Sequence, residues 1–96
     1  MPMNHNPDAA PPDSPIAYPL AFPIKVMGAR HEDLVQGITE TARRFDPTFD
    51  AATIELRESR RGNYLSVTIT VWATSRAQLD ALYQALTSHP LVKVVL

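Results

Sequence analysis

Apolar and polar positions alternate in three stretches of the chain and recur at helical spacing in two. In residues 21–27 (AFPIKVM), Phe22, Ile24 and Val26 share one face, with Pro23, Lys25 and Met27 on the other. That period of two predicts a strand, which Gly28 ends. Next, Leu34, Val35, Ile38, Ala42 and Phe45 recur at the three-to-four spacing of an amphipathic helix over residues 31–45. Glu32 and Asp33 near its start, with Arg43 and Arg44 near its end, complement the helix dipole at both termini. Gly37 costs this helix about 1 kcal/mol relative to alanine. Asp46-Pro47 stops it, because the residue before proline is pushed out of helical geometry.

Alternation returns in residues 53–57, with Ile54 and Leu56 on one side and Glu55 and Arg57 on the other. A polar turn, Ser59-Arg60-Arg61-Gly62-Asn63, leads into residues 64–73. There Leu65, Val67, Ile69 and Val71 face one way, and Tyr64, Ser66, Thr68, Thr70 and Trp72 the other. Two alternating runs around a glycine-containing turn predict a hairpin. Ser75 and Gln78 form a capping-box pattern ahead of a second helical stripe, Leu79, Leu82, Tyr83 and Leu86. Pro90 punctuates, and residues 91–96 (LVKVVL) close the chain as a short strand.

The order strand, helix, strand, strand, helix, strand predicts an α+β fold of the ferredoxin-like β-α-β-β-α-β type. Right-handed crossovers place both helices on one face of a four-stranded antiparallel sheet, in the order 4-1-3-2. The apolar faces form the core between sheet and helices. The open face is expected to carry Lys25, Met27, Glu55, Arg57, Tyr64, Ser66, Thr68, Thr70, Trp72, Lys93 and Val95. The domain occupies residues 16–96. Residues 1–15 (MPMNHNPDAAPPDSP) hold too little apolar surface to offset ordering entropy and read as a disordered, Pro-rich tail. A docking peptide is the alternative reading of that tail. It has neither the basic start nor the apolar run of a secretory signal. No window approaches the roughly twenty apolar residues of a membrane-spanning helix. The expected location is cytoplasmic.

Several short motifs are also familiar in their order: Phe22-Pro23-Ile24-Lys25-Val26-Met27-Gly28, Gly62-Asn63-Tyr64-Leu65-Ser66-Val67, Ala73-Thr74, Leu82-Tyr83 and the ending Val92-Lys93-Val94-Val95-Leu96. Over roughly residues 19–96 the chain resembles the YbeD-like family of small bacterial proteins. The resemblance implies a ferredoxin-like fold similar to ACT regulatory domains. The family's biochemical role is uncharacterised, so the likeness implies no substrate. The loop after the first strand, Met27-Gly28-Ala29-Arg30, lacks the Asp and Pro-Gly pattern usual in ACT domains, and amino-acid binding does not carry over.

Composition narrows the chemistry. Ninety-six residues fit one small domain, and a net charge of −1 argues against a broad basic surface for nucleic acid or membrane. The absence of cysteine excludes disulfides, thiolate metal sites and a cysteine nucleophile. His5, His31 and His89 have no ligand spacing, so no metal is expected. No nucleophile elbow, phosphate loop or dinucleotide fingerprint is present, and neither catalytic residues nor a cofactor are expected.

One grouping stands out in this topology. The end of the first strand lies beside the starts of the third and fourth, which gathers Gly28, Arg30, His31, Arg60, Arg61, Gly62, Asn63 and His89 near a helix N-terminus. This is a candidate anion site for a carboxylate or phosphate. A solvated basic loop, with Glu32 and Asp33 competing for the helix end, is the bland counterpart. On the open face, Tyr64 and Trp72 are candidate partner-binding residues, unless the linker over residues 16–20 covers Trp72. The expected role is non-catalytic and regulatory, through an unknown small ligand or a partner protein. An RNA-binding module on the open sheet face and a plain interaction domain are the rival classes. A second copy of the chain stays among the candidate partners.

Overall fold

The computed structural model describes residues 17–96; the tail reading for residues 1–15 lies outside the described residues. Strand β1 (Leu20–Ala29) leads to helix α1 (Glu32–Phe45), a short 3-10 turn (Ala51–Thr53) and strand β2 (Glu55–Glu58). Strand β3 (Tyr64–Ala73), helix α2 (Arg76–Thr87) and strand β4 (Val92–Val95) complete the chain. The sheet is antiparallel throughout, in the order β2-β3-β1-β4, the arrangement predicted from the pattern.

β1 and β3 pair along their whole length, from Leu20 opposite Ala73 to Ala29 opposite Tyr64. That register sets Ile24 beside Ile69 and Val26 beside Val67 on the helix side. Leu34, Ile38 and Ala42 of α1 and Leu79, Leu82 and Leu86 of α2 close over them, each buried. Each buried Leu, Ile or Val side chain among them contributes roughly 1.5–3 kcal/mol of burial energy. Phe49, from the loop after α1, joins this core although no periodicity marks it.

Three sequence expectations need correction. First, β2 covers Glu55–Glu58 rather than residues 53–57, because Asp50 caps a 3-10 turn: its Oδ1 accepts the Ala52 N–H at 2.9 Å and its carbonyl accepts the Thr53 N–H at 3.0 Å. Leu56 lies on the helix side, opposite Val67, yet is 56% exposed. It sits on the edge strand, and an open cleft lined by Val35 and Leu65 separates it from α1. Second, Val95 faces the core, not the open side. Met27 pairs with Val94 but Gly28 with Val92, so Lys93 is an extra, bulged residue. A one-residue shift exchanges faces, and Val94 takes the open side. Third, only half of the capping box forms. Ser75 Oγ accepts the Gln78 N–H at 3.0 Å, but Gln78 Oε1 turns to the Thr74 N–H at 2.6 Å.

The Gln78 amide group then donates to the carbonyls of Phe45 (2.8 Å) and Trp72 (3.1 Å). Asp46, buried at the end of α1, accepts the Trp72 N–H at 2.8 Å and the Thr48 N–H at 3.0 Å. The pairing of β2 with β3 stops at Glu55 opposite Thr68, so the Asp46 carboxylate occupies the place a longer β2 would fill. Asp46 and Gln78 together tie the end of α1, the end of β3 and the start of α2.

Candidate functional site

The hairpin turn between β2 and β3 organises the predicted basic end. Gly62 adopts φ 77°, a left-handed geometry that glycine enters without steric cost. Ser59 closes the turn, its N–H donating to the Tyr64 carbonyl and its Oγ accepting the Tyr64 N–H. The Arg30 N–H donates to the Asn63 carbonyl at 3.1 Å, so the β1 end and this turn are neighbours.

The side chains then diverge. Arg30 directs Nε and Nη2 onto Glu58 Oε2 at 3.0 and 2.9 Å. His31 caps α1, its Nδ1 accepting the Asp33 N–H at 3.0 Å, with the Glu32 and Asp33 carboxylates beside it. Gly28 is buried in β1, opposite Val92. His89 lies elsewhere: its Nδ1 accepts the Leu91 N–H at 3.1 Å and its ring packs on Gly37. Gly37 and Val35 differ by about 200° around α1, which puts His89 on the opposite side of the helix from the Arg30 cleft. Arg60, Arg61 and Asn63 line a shallow cleft at the turn. Arg30 and His31 thus line one cleft beside α1, Arg60, Arg61 and Asn63 another at the turn, and Gly28 and His89 lie in neither; the Arg30 N–H on the Asn63 carbonyl joins the first two groups.

A different constellation forms on the open sheet face. Lys25, Met27, Arg57, Glu58, Ser59, Arg60, Tyr64 and Ser66 line a cleft of about 480 Å³. Register explains it. Ser66 of β3 stands between Met27 of β1 and Arg57 of β2, so a small residue forms the floor and larger ones the walls. Tyr64 rises two residues along β3, and Lys25 two residues along β1. Among the described residues, the ion pairs are Arg30–Glu58, His31–Asp33 and Arg76–Asp80, so Lys25, Arg57 and Arg60 have no acidic partner. Glu55 shares this face but stands outside the dish, opposite Thr68. Glu58, the one acidic residue lining the dish, stands opposite Leu65 and so carries its side chain on the helix side, where Arg30 holds the carboxylate. Lys25, Met27, Arg57 and Ser66 were placed on this face by alternation alone; converting the face into a dish needed the cross-strand register.

Tyr64 and Trp72 are each 47% exposed on the same face. Eight residues of β3 separate them by about 26 Å, so they do not form one patch. Trp72 lies near Asp46 and Asp50, opposite Ala21, and residues 17–20 leave it half-exposed. No three His, Asp or Glu side chains gather as metal ligands among the described residues. No helix among them is long and apolar enough to cross a membrane.

Four antiparallel strands in this order beneath two helices define an ACT-like, ferredoxin-like domain. The solution structure of protein HP0495 from H. pylori matches over 98% of each chain at a TM-score of 0.67 and 18% identity. The ACT domain from GTP pyrophosphokinase of Chlorobium tepidum matches 80% of this chain and 97% of its own at 0.63 and 19%. At such identities the likeness establishes the fold alone. The chain itself belongs to the DUF493 or UPF0250 family, the YbeD-like proteins: residues 13–96 match the family described as "Protein of unknown function (DUF493)". The UPF0250 protein of Bordetella pertussis is 56% identical over 90% of this chain and 94% of its own length. That of Ralstonia nicotianae is 53% identical over 97% and 96%.

Proposed function

We propose that the chain is a non-catalytic, cytoplasmic regulatory domain that binds a small anion in the open-face dish. The observation that carries this reading is the convergence of Lys25, Arg57 and Arg60 on one cleft, none of them in an ion pair among the described residues, while the Glu58 carboxylate is held by Arg30 on the helix side. Charge-assisted bonds to an anion are worth roughly 1.5–3 kcal/mol each where water is excluded and much less in the open. An open dish therefore implies modest affinity and reversible occupancy, which suits a sensor. The ACT-like fold supports a regulatory role. Neither Ser59 nor Ser66 has a histidine or carboxylate hydrogen-bonded to its hydroxyl among the described residues, so no activated nucleophile is assembled there.

Inorganic phosphate titrated into the labelled protein should shift the amides of Lys25, Arg57, Ser59, Arg60, Tyr64 and Ser66 along one saturable curve. An Arg57→Ala, Arg60→Ala double variant should lose that response. Linear shifts spread over all basic residues, Arg43, Arg44 and Arg76 included, would mean charge screening, and the anion site would have to be abandoned.

A further inference from the structure

The dish is not built only for charge. Its floor is the short Ser66 side chain, and its walls divide by chemistry. Arg57 and Arg60 stand on the β2 and turn side, Met27 on the β1 side, and Tyr64 at the end between them. Tyr64 is half-exposed and lines the same cleft, so a ring face or edge is available for contact. A bare inorganic anion would engage the cations and leave much of the roughly 480 Å³ to water. That volume falls in the range of organic-ligand sites, about 300–1,000 Å³. A flat apolar body placed over Ser66 would meet the Tyr64 ring and the Met27 thioether, both favourable neighbours for an aromatic group.

The same charges say what the ligand lacks. An α-amino acid would bring an ammonium group among Lys25, Arg57 and Arg60. Glu58, the one acidic residue lining the dish, turns its carboxylate to the helix side, where it already accepts two contacts from Arg30. A zwitterion therefore loses at its cationic end what it gains at its carboxylate.

We infer that the dish selects anions carrying a planar aryl body, aryl phosphates or aryl carboxylates, over inorganic anions and over α-amino acids. This selectivity rests on the anion site proposed above and adds the apolar half of the ligand.

The test compares phenyl phosphate, benzoate, inorganic phosphate and phenylalanine in amide-shift titrations of the full chain. Phenyl phosphate should bind about tenfold more tightly than inorganic phosphate, the scale of one aromatic contact. Benzoate should saturate the same residues, and phenylalanine should give no saturable shift there. Tyr64→Ala should close the gap between phenyl phosphate and inorganic phosphate, whatever it does to the affinity that the two share. Tyr64 is exposed, so the variant keeps its core, and an unchanged melting curve checks this. Equal affinities for the two phosphates would overturn the inference while leaving the anion site standing. So would a tenfold gap that survives Tyr64→Ala, or phenylalanine binding as tightly as phenyl phosphate. If no anion saturates any residue of the dish, the anion site itself falls, and the selectivity with it.

Discussion

Replacing Asp46 with alanine removes a carboxylate that does the work of a missing strand. Its Oδ2 accepts the Trp72 N–H at 2.8 Å, and its Oδ1 accepts the Thr48 N–H and hydroxyl at 3.0 and 2.5 Å. Trp72 N–H points to the side where β2 has already ended, so the variant leaves it without a strand partner. An unpaired, shielded N–H costs about 1–3 kcal/mol, and the loss of charge-assisted bonds to Thr48, which water can partly replace, adds less. The expected destabilisation is about 2–4 kcal/mol, a fall in Tm of roughly 10–25 °C in a domain of this size. The pH dependence has a definite sign. Burial alone would push the Asp46 carboxyl up, but hydrogen bonds from the Thr48 hydroxyl and from the Trp72 and Thr48 N–H groups outweigh it, and the pKa is lowered. A carboxylate lowered in the folded state contributes fully above its unfolded value, near about 3.9. The contribution is lost as pH falls through the folded value. Urea denaturation of both proteins should therefore show a constant stability gap from pH 8 to pH 5 that narrows below about pH 4. Asp46→Asn, which keeps one acceptor but turns an NH2 toward the Thr48 donors, should fall between the two. A gap unchanged at pH 3, or an alanine variant within about 0.5 kcal/mol of the parent, would refute the strand-substitute role.

Gly37→Ala should destabilise, although alanine gains about 1 kcal/mol in helix propensity, because the new Cβ would run into the His89 ring. Adding His89→Ala should recover much of the loss, and urea midpoints of the single and double variants decide. Leu56→Ala should change stability by less than about 1 kcal/mol, whereas Ile69→Ala, fully buried in the central strand, should cost about 2–5 kcal/mol. Similar costs in thermal melts would mean that Leu56 is covered in solution. Arg30→Ala should leave phosphate binding in the dish nearly unchanged, because Arg30 and the Glu58 carboxylate that it holds lie on the helix side of the sheet. The titration should give a Kd within about twofold of the parent, and a Kd raised tenfold, by about 1.4 kcal/mol, would mean that the Glu58 carboxylate reaches the open face.

The central pair of strands was legible because both ten-residue strands turn one face to the core along most of their length, and alternation reports that directly. The edges were harder. Leu56 satisfies the alternation of β2, but a pattern cannot tell that the helices stop short of an outer strand. Val94 and Val95 exchanged roles because one extra residue, Lys93, carries no mark in a run as apolar as LVKVVL. Asp46 reads as a helix stop, since its partner Trp72 lies 26 residues away. At the basic end, topology correctly made the Arg30 and Asn63 backbones neighbours. Side-chain direction did not follow from it: Arg30 turns to Glu58 and His89 to Gly37. Neither choice is visible without coordinates, because each depends on a pairing between separate elements.

The β1–β3 pairing has a consequence for how the chain reaches this structure. Its nearest partners, Ala29 and Tyr64, are 35 residues apart, and its farthest, Leu20 and Ala73, are 53 apart. The core therefore cannot be nucleated by a local hairpin: a long loop must close before the centre of the sheet gains anything, and closure entropy is spent first. Such pairing of distant segments slows folding relative to helical bundles, whose contacts are local. It also makes the two halves interdependent, since each supplies one of the two central strands and the core is completed only when β1 and β3 pair. Cut at the exposed turn around Arg61, neither fragment holds a complete core, yet mixed together they carry every contact needed to rebuild it.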